Sequence, residues 1–159
     1  EEIMAIEIER KFLMDLTHWP QDAKGIPYRQ GYLADTEKGS VRIRIKGDIS
    51  TLTVKSRCNG LSRYEFEYII PMDEAKSLID LCQNGIIEKT RYKVMAEGKL
   101  WDVDEFHGEN DGLWLAEVEL ESEDESVTLP KWAVEEVTGD KLYYNTYLSK
   151  HPFSSWKNE

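Results

Sequence analysis

Apolar and polar residues alternate with a period of two along the first two thirds of the chain. Because neighbouring side chains of a strand point to opposite faces, this alternation predicts β-strands with one apolar and one polar face. Eight strands are predicted, at residues 5–14, 28–34, 40–46, 51–56, 62–70, 87–95, 100–106 and 113–121. Glycine-containing pairs separate neighbouring strands at 47–48, 59–60, 97–98 and 111–112. The pattern therefore predicts mostly antiparallel hairpins.

Helical spacing of apolar residues is confined to a few places. A helix is predicted at residues 73–82, and Pro130 is expected to open a short helix that contains Trp132. Asp140 is expected to cap a last helix at residues 141–149. Strands thus outnumber helices, which indicates an α+β fold that is predominantly antiparallel β.

Composition and charge narrow the class of protein. The 159 residues are 40% apolar and 32% charged, which suits one domain spanning residues 1–159. Lys and Arg number 20 against 31 Asp and Glu, so the net charge is −11. This acidity argues against the broad basic surface that nucleic acid or an anionic membrane would need, and neither partner is expected. A net negative charge is still compatible with a shielded basic cluster that binds a small anion.

The cysteines and the apolar runs indicate where the protein works. Cys58 and Cys82 show no CxxC or Cys/His spacing, so reduced thiols are expected rather than a disulfide or a zinc site. No apolar run approaches the length of a membrane span, and the sequence begins without the features of a secretion signal. A cytoplasmic protein is therefore expected.

The polar faces of the predicted strands carry mainly charged residues, and most strands carry one sign. The acids on these faces are Glu7, Glu9, Glu65, Glu67, Asp102, Asp104, Glu117 and Glu119. The bases are Lys11, Arg42, Arg44, Lys55, Arg91 and Lys93. The commonest origin of such a pattern is an antiparallel sheet with one face in water.

A closed barrel with these faces inward is the alternative. Burying so many charges costs several kcal/mol per ion unless they are paired or coordinate a ligand, so stability alone would not favour this interior. Carboxylates suit hard cations such as Mg²⁺ or Mn²⁺, and Lys and Arg suit phosphate oxygens. The closed form therefore predicts a site for a metal-bound polyphosphate.

The order of these charged residues resembles the CYTH superfamily of triphosphate tunnel metalloenzymes. Its N-terminal Glu-x-Glu-x-Lys signature is matched by residues 7–11. The further matching motifs are Arg42-x-Arg44, Lys55, Arg63-x-Glu65-x-Glu67, Arg91, Asp102-x-Asp104 and Glu117-x-Glu119. The resemblance covers about residues 4–150, and the segments 29–33 and 60–63 resemble the small bacterial inorganic triphosphatases.

The resemblance implies an eight-stranded closed β tunnel with flanking helices. It also implies hydrolysis of inorganic triphosphate to pyrophosphate and phosphate, with Mg²⁺ or Mn²⁺ as cofactor. Other activities of the family are alternatives: thiamine, nucleoside or RNA 5′-triphosphatase, or class IV adenylyl cyclase. A non-catalytic polyphosphate-binding module and a sandwich with hydrated charged faces are further alternatives.

The resemblance further implies roles for individual residues. The expected metal ligands are Glu7, Glu9, Asp102, Asp104, Glu117 and Glu119. The expected substrate-binding residues are Lys11, Arg42, Arg44, Lys55, Lys89, Arg91, Lys93 and Lys141. Glu65, Glu67 and Lys55 are the catalytic candidates, and either glutamate is expected to orient or deprotonate the attacking water.

Overall fold

The computed structural model describes residues 6–20, 22–57 and 61–158. Within these residues, the strands are β1 (Ile6–Met14), β2 (Gly25–Asp35), β3 (Gly39–Lys46), β4 (Ile49–Ser56), β5 (Ser62–Ile70), β6 (Gln83–Ala96), β7 (Lys99–Phe106), β8 (Trp114–Glu119) and β9 (Ala133–Glu136). The α-helices are α1 (Met72–Ile79) and α2 (Asn145–Lys150). Short 3₁₀ turns occur at Leu16–His18, Gly108–Asn110, Lys141–Tyr143 and Phe153–Asn158.

The first eight strands close into an antiparallel barrel. Their order is β5-β4-β3-β2-β6-β7-β8-β1, and the circle closes where β1 pairs with β5, with Glu7 opposite Arg63. Closure pairs the strand edges with one another, which removes the exposed edges of an open sheet. The predicted eight-stranded closed barrel is confirmed, and the sandwich alternative is excluded.

Tight turns form at the predicted glycine pairs of the described residues. Gly47 lies between β3 and β4 with φ +58°, and Glu97 and Gly98 connect β6 to β7 with φ +50° and +78°. Left-handed residues of this kind match the twist of two-residue hairpins. The predicted turn at residues 59–60 and the residue Cys58 lie outside the described residues.

The predicted helix that opens at Pro130 is wrong. After a single turn, in which the Ala133 amide donates to the Pro130 carbonyl, the chain extends into β9. β9 pairs with the part of β1 that lies beyond its contact with β5, with Phe12 opposite Glu136. The open edge of β1 supplies hydrogen bonds that this local sequence cannot provide for itself, and pairing with it overrides the helical tendency.

The other two helices form with shifted ends. The helix predicted at residues 73–82 is α1 (Met72–Ile79), and β6 already begins at Gln83. The helix predicted at residues 141–149 is divided in two. Asp140 caps only the 3₁₀ turn, by accepting from the Leu142 amide, and the extended backbone of Tyr144 separates that turn from α2.

Apolar side chains form two clusters outside the barrel. One lies over β1, β7 and β8, where Trp19 packs edge-on against Trp132 with ring centroids 5.3 Å apart and Trp101 is fully buried. The other lies under α1, where Ala75 and Ile79 contact Ile43 of β3. Strands and loops cover the first cluster, and α1 covers the second.

A third apolar cluster fills one end of the barrel from inside. The inward faces of β1, β6, β7 and β8 change from charged to apolar there, at Leu13, Ile87, Phe106 and Leu115. Leu148 of α2 is buried against this cluster. Only the other half of the barrel is therefore open and polar. None of the helices in the described part of the chain is long and apolar enough to cross a membrane.

Candidate active site

A chamber of about 320 Å³ occupies the open half of the barrel. Ten of the described residues that line it are Lys or Arg and seven are Asp or Glu, so the lining is net cationic in a protein of net charge −11. The bases are Lys11, Arg42, Arg44, Lys46, Lys55, Arg57, Arg63, Lys89, Arg91 and Lys93. The acids are Glu7, Glu9, Glu65, Glu67, Asp102, Glu117 and Glu119.

The strand order separates the two signs of charge across the chamber. β1 and its neighbours β8 and β5 carry all six glutamates that line the chamber. We call five of them the acidic wall and leave out the more exposed Glu67: Glu7, Glu9, Glu65, Glu117 and Glu119. β3 and β6 flank β2, and we call this side the basic wall: Arg42, Arg44, Lys46, Lys89, Arg91 and Lys93. In a barrel of eight strands, β1 and β2 are diametrically opposite. A molecule in the chamber therefore contacts carboxylates on one side and cations on the other.

Carboxyl groups of the acidic wall are hydrogen-bonded to one another. Burial, together with the charge of Glu117 and a hydrogen bond to it, raises the pKa of Glu9 well above its ordinary value. Burial alone would also raise the pKa of Glu117, but Lys11 and Arg91 lower it to about 2. The two neighbouring carboxyl groups therefore differ in their affinity for a proton, and Glu9 is the one that favours the protonated form. Carboxylate oxygens gathered in this way are the ligands that hard divalent cations prefer.

The contribution of Glu9 to the free energy of unfolding of the metal-free protein should fall as pH rises above the ordinary glutamate pKa of 4.5. The pKa of Glu9 is raised above 4.5 in the folded protein, so the folded chain binds this proton more tightly than the unfolded chain does. The stabilisation is complete below the ordinary glutamate pKa of 4.5. It is lost as pH rises through the pKa that Glu9 has in the folded protein. Thermal unfolding in chelator measures this dependence. Glu9→Gln cannot ionise and should flatten it; equal slopes in both proteins would contradict the prediction.

Lys55 of β4 links the acidic wall to its neighbours. Its Nζ lies 3.1 Å from Glu7 Oε1 and 3.2 Å from Glu65 Oε2. Although burial opposes it, the charge of Lys55 lowers the pKa of Glu65, whereas burial raises the pKa of Glu7 despite Lys55. Glu67 lies nearer to solvent, with its side chain 44% exposed and 3.8 Å from Arg42. Of the two catalytic glutamates, Glu65 is therefore the less exposed and the one with the closer ion pair.

The basic wall concentrates guanidinium groups around one tyrosine. The Cζ atoms of Arg44 and Arg91 lie 4.9 Å and 5.0 Å from the centre of the Tyr28 ring. Burial, followed by the charges of Arg42 and Arg91, lowers the pKa of Arg44 to about 9. Arg44 is thus still a cation at neutral pH, in an environment where an anion would relieve the repulsion.

Beneath the basic wall, Asp104 compensates two of its cations. Its Oδ2 accepts from Lys89 Nζ at 2.8 Å, and Arg91 donates from Nε to Oδ1 at 2.8 Å and from Nη2 to Oδ2 at 2.9 Å. Although burial opposes ionisation, Arg91 and Lys89 hold the pKa of Asp104 far below its ordinary value. Burial in turn lowers the pKa of Lys89 to about 7. Asp104 does not line the chamber, and both its oxygens are engaged.

The carboxylates of the described residues do not form a preformed metal centre. No three side chains of His, Cys, Asp or Glu converge on a common point in the described ranges 6–20, 22–57 and 61–158. The reason is that the glutamates of the acidic wall bond to one another and to Lys55. Oxygen ligands are nevertheless concentrated there, in the chemistry that Mg²⁺ and Mn²⁺ prefer.

The residues at the start of α2 form the floor of the chamber. Tyr144, Asn145 and Thr146 line it from below, next to the apolar cluster. Lys11 Nζ donates to the Tyr143 carbonyl at 3.1 Å and lies 5.6 Å from the centre of the Tyr144 ring. The floor closes one end of the barrel, and the chamber opens at the other.

An eight-stranded barrel with a charged interior is what the sequence resemblance predicted, and comparison with known families agrees. A family model described as the CYTH domain matches residues 5–148. The chain belongs to the CYTH domain family. The match runs from the acidic wall on β1 to α2 at the floor, so the CYTH domain contains every wall of the chamber.

Curated relatives of this CYTH domain carry the name inorganic triphosphatase. One, from Acetivibrio thermocellus, is 46% identical over 155 residues, which are 97% of this chain and 99% of the relative. Another, from Nitrosomonas europaea, is 40% identical over 147 residues, or 90% of this chain and 96% of the relative. Both relatives thus match the CYTH domain over nearly their full length.

Solved structures share the barrel of this CYTH domain. The crystal structure of an inorganic triphosphatase has a TM-score of 0.66 at 36% identity and covers 89% of this chain and 96% of its own. A protein of Pyrococcus horikoshii has a TM-score of 0.57 at 17% identity over 74% of this chain and 80% of its own. The second likeness concerns the fold alone.

The CYTH domain brings most of the predicted site residues together. Of the expected metal and substrate residues, Asp104 lies behind the basic wall and Lys141 lies exposed on the 3₁₀ turn outside the chamber. Strand parity alone could have added Lys46 and Tyr28 to the predicted site residues, because both lie on the inward face of the barrel beside charged residues. Nothing in the alternation pattern could have placed Asn145, because a helix after the barrel brings it to the floor.

Proposed function

We propose that the protein hydrolyses inorganic triphosphate in this chamber, with a divalent metal ion, to pyrophosphate and phosphate. The observation that carries the proposal is the net cationic lining inside a strongly acidic protein, opposed by a wall of carboxylates. A small polyanion with a bound cation satisfies both walls at once. The curated relatives named inorganic triphosphatase support this substrate over the other activities of the family.

The basic wall binds the phosphate oxygens. Arg42 Nε is buried and has no hydrogen-bond partner among the described residues, and a buried donor of this kind calls for a ligand. Arg44 is next to it on the same face of β3, and Arg91 lies across Tyr28. Arginines can bind phosphate oxygens through two N–H groups at once, which orients the substrate as well as attracting it.

The acidic wall fits a divalent cation because its carboxyl groups lie within hydrogen-bond distance of one another, Glu7 of Glu65 and Glu9 of Glu117. Glu7, Glu9, Glu117 and Glu119 would hold the ion, with Asp102 at the edge of the chamber. When bound, Mg²⁺ or Mn²⁺ would supply charge neutralisation at the phosphoryl group and its leaving phosphate. We leave Asp104 out of this set because Lys89 and Arg91 occupy both of its oxygens.

Glu65 orients the water that attacks the terminal phosphorus. Its carboxylate is ionised, and it belongs to the acidic wall. The water oxygen bonds to phosphorus and passes a proton to the Glu65 carboxylate, the phosphoanhydride P–O bond breaks, and pyrophosphate leaves with the bridging oxygen and its electron pair. Lys55 keeps Glu65 ionised and in place, and the basic wall neutralises the charge that develops on the leaving group.

Phosphate release from a panel of substrates tests the function. Triphosphate, ATP, thiamine triphosphate and pyrophosphate are each assayed with Mg²⁺, with Mn²⁺ and with chelator. We expect the fastest release from inorganic triphosphate and none in chelator. Cyclic AMP formed from ATP would instead establish a cyclase. Tight calorimetric binding of triphosphate, without phosphate release over hours, would establish a binding module.

A further inference from the structure

A buried glutamine lies directly behind the basic wall. Gln30, in the middle of β2, is 0% exposed and does not line the chamber. Its Oε1 accepts from Arg44 Nε at 2.8 Å. Its Nε2 donates to Asn145 Oδ1 at 3.4 Å, and that same oxygen accepts from Lys89 Nζ at 3.2 Å. The donors at both ends fix the orientation of the two amides, so the network can be arranged in only one way.

This network connects two cations of the chamber to α2 without supplying a negative charge. Arg44 differs in this from Arg91, which donates to the carboxylate of Asp104. Arg42 is intermediate, because its Nη2 donates to a neutral hydroxyl, Thr53 Oγ1, at 3.2 Å and also lies 3.8 Å from a Glu67 carboxylate oxygen. A neutral acceptor fixes the plane of a guanidinium group and leaves its charge for another partner.

We propose that Gln30 is a positioning residue, which orients Arg44 towards triphosphate while leaving its charge uncompensated, and which fixes Arg44 to the floor through Asn145. The inference rests on the proposed function and deepens it. Arg44 uses Nε on Gln30 and keeps its two terminal nitrogens for phosphate oxygens. A carboxylate at position 30 would orient Arg44 equally well and would remove the attraction.

Two substitutions of Gln30 separate orientation from charge. Gln30→Met preserves the length of the side chain but removes the acceptor, and Gln30→Glu preserves the acceptor but adds a charge. Gln30→Met loses a hydrogen bond to a charged group, and Gln30→Glu neutralises the charge that attracts the substrate. We expect each substitution to raise KM for triphosphate about 10-fold or more, with a smaller change in kcat. Calorimetric Kd for triphosphate in chelator should rise by a similar factor.

The matched control is Ser50→Ala, which removes a buried hydroxyl that donates to the Ile70 carbonyl outside the chamber. It should leave KM unchanged. The decisive measurement repeats Gln30→Met in an Arg44→Lys background, where the Nε–H that Gln30 accepts is absent. If Gln30 acts through Arg44, its substitution should then change KM less than twofold.

The outcomes distinguish this proposal from the proposed function. Wild-type Kd and KM for Gln30→Met or Gln30→Glu would overturn the positioning role, and so would an undiminished effect of Gln30→Met in the Arg44→Lys background. Neither result would alter the assignment of the substrate. Absence of both triphosphate binding and hydrolysis in the wild-type protein would instead overturn the proposed function, and with it this inference.

Discussion

Replacing Glu9 with glutamine is expected to lower the turnover of inorganic triphosphate by about 100-fold or more while leaving the fold intact. The raised pKa of Glu9 favours its protonated form in the metal-free protein, and that form donates a hydrogen bond to Glu117. Glutamine reproduces that donor, so the folded state loses little. It cannot become the carboxylate that a divalent cation requires, so the acidic wall loses a ligand. Initial rates at saturating Mg²⁺, with thermal unfolding on the same samples, measure both effects.

Glu88→Gln is the matched control, since Glu88 is exposed on the outer face of β6. It should retain the rate of the wild-type protein. Full activity of Glu9→Gln would remove Glu9 from the metal site. A loss of activity accompanied by a large drop in melting temperature would contradict the hydrogen bond from protonated Glu9 to Glu117. The amide of Glu9→Gln would then have failed to replace the protonated carboxyl group.

Replacing Asp104 with asparagine is expected to lower the free energy of unfolding by about 3 kcal/mol or more. Asp104 is 1% exposed and bonds to both Lys89 and Arg91. Removing one partner of a buried ion pair leaves the other charge uncompensated in a poorly solvated place, which costs far more than an exposed pair contributes. Equilibrium unfolding in urea, with chelator present, measures the change.

Asp102→Asn is the control on the same strand. Asp102 is 30% exposed and pairs with Lys93, which is 51% exposed, so its loss should cost less than about 1 kcal/mol. Equal destabilisation by the two substitutions would contradict the structural role of Asp104. A wild-type free energy of unfolding for Asp104→Asn, combined with a loss of metal-dependent activity, would instead return Asp104 to the metal ligands.

These two aspartates show what strand parity can and cannot predict. Parity places Asp102 and Asp104 on one face of β7, and the structure agrees. It cannot say how deep each residue lies, because depth depends on the tilt and stagger of neighbouring strands. A chamber carboxylate and a buried counter-ion are only two positions apart in the sequence. The apolar inner end was missed for the same reason: Leu13 shares the face of Lys11 but lies deeper.

The residues that sequence reasoning missed come from distant parts of the chain. β9 exists because β1 leaves an edge open beyond β5, and the local sequence around Pro130 reads as a helix. Asn145 reaches the floor because α2 packs its Leu148 into the end of the barrel. Gln30 lies in the segment 29–33 that carries the resemblance, but no role follows for it from the sequence, because the partners of an uncharged residue on a charged face are known only in the structure.

By itself, the sequence determined the strands, their two faces, the charges that each face carries and the family to which the chain belongs. These are local properties, set by the period of two along a strand and by the order of residue types. The resemblance implied that the barrel closes around the charged faces, but only the tertiary structure decided that acids oppose bases across the chamber and that one end is closed. Closure, strand order and depth depend on pairings between distant segments, such as β1 with β5, which no local pattern specifies.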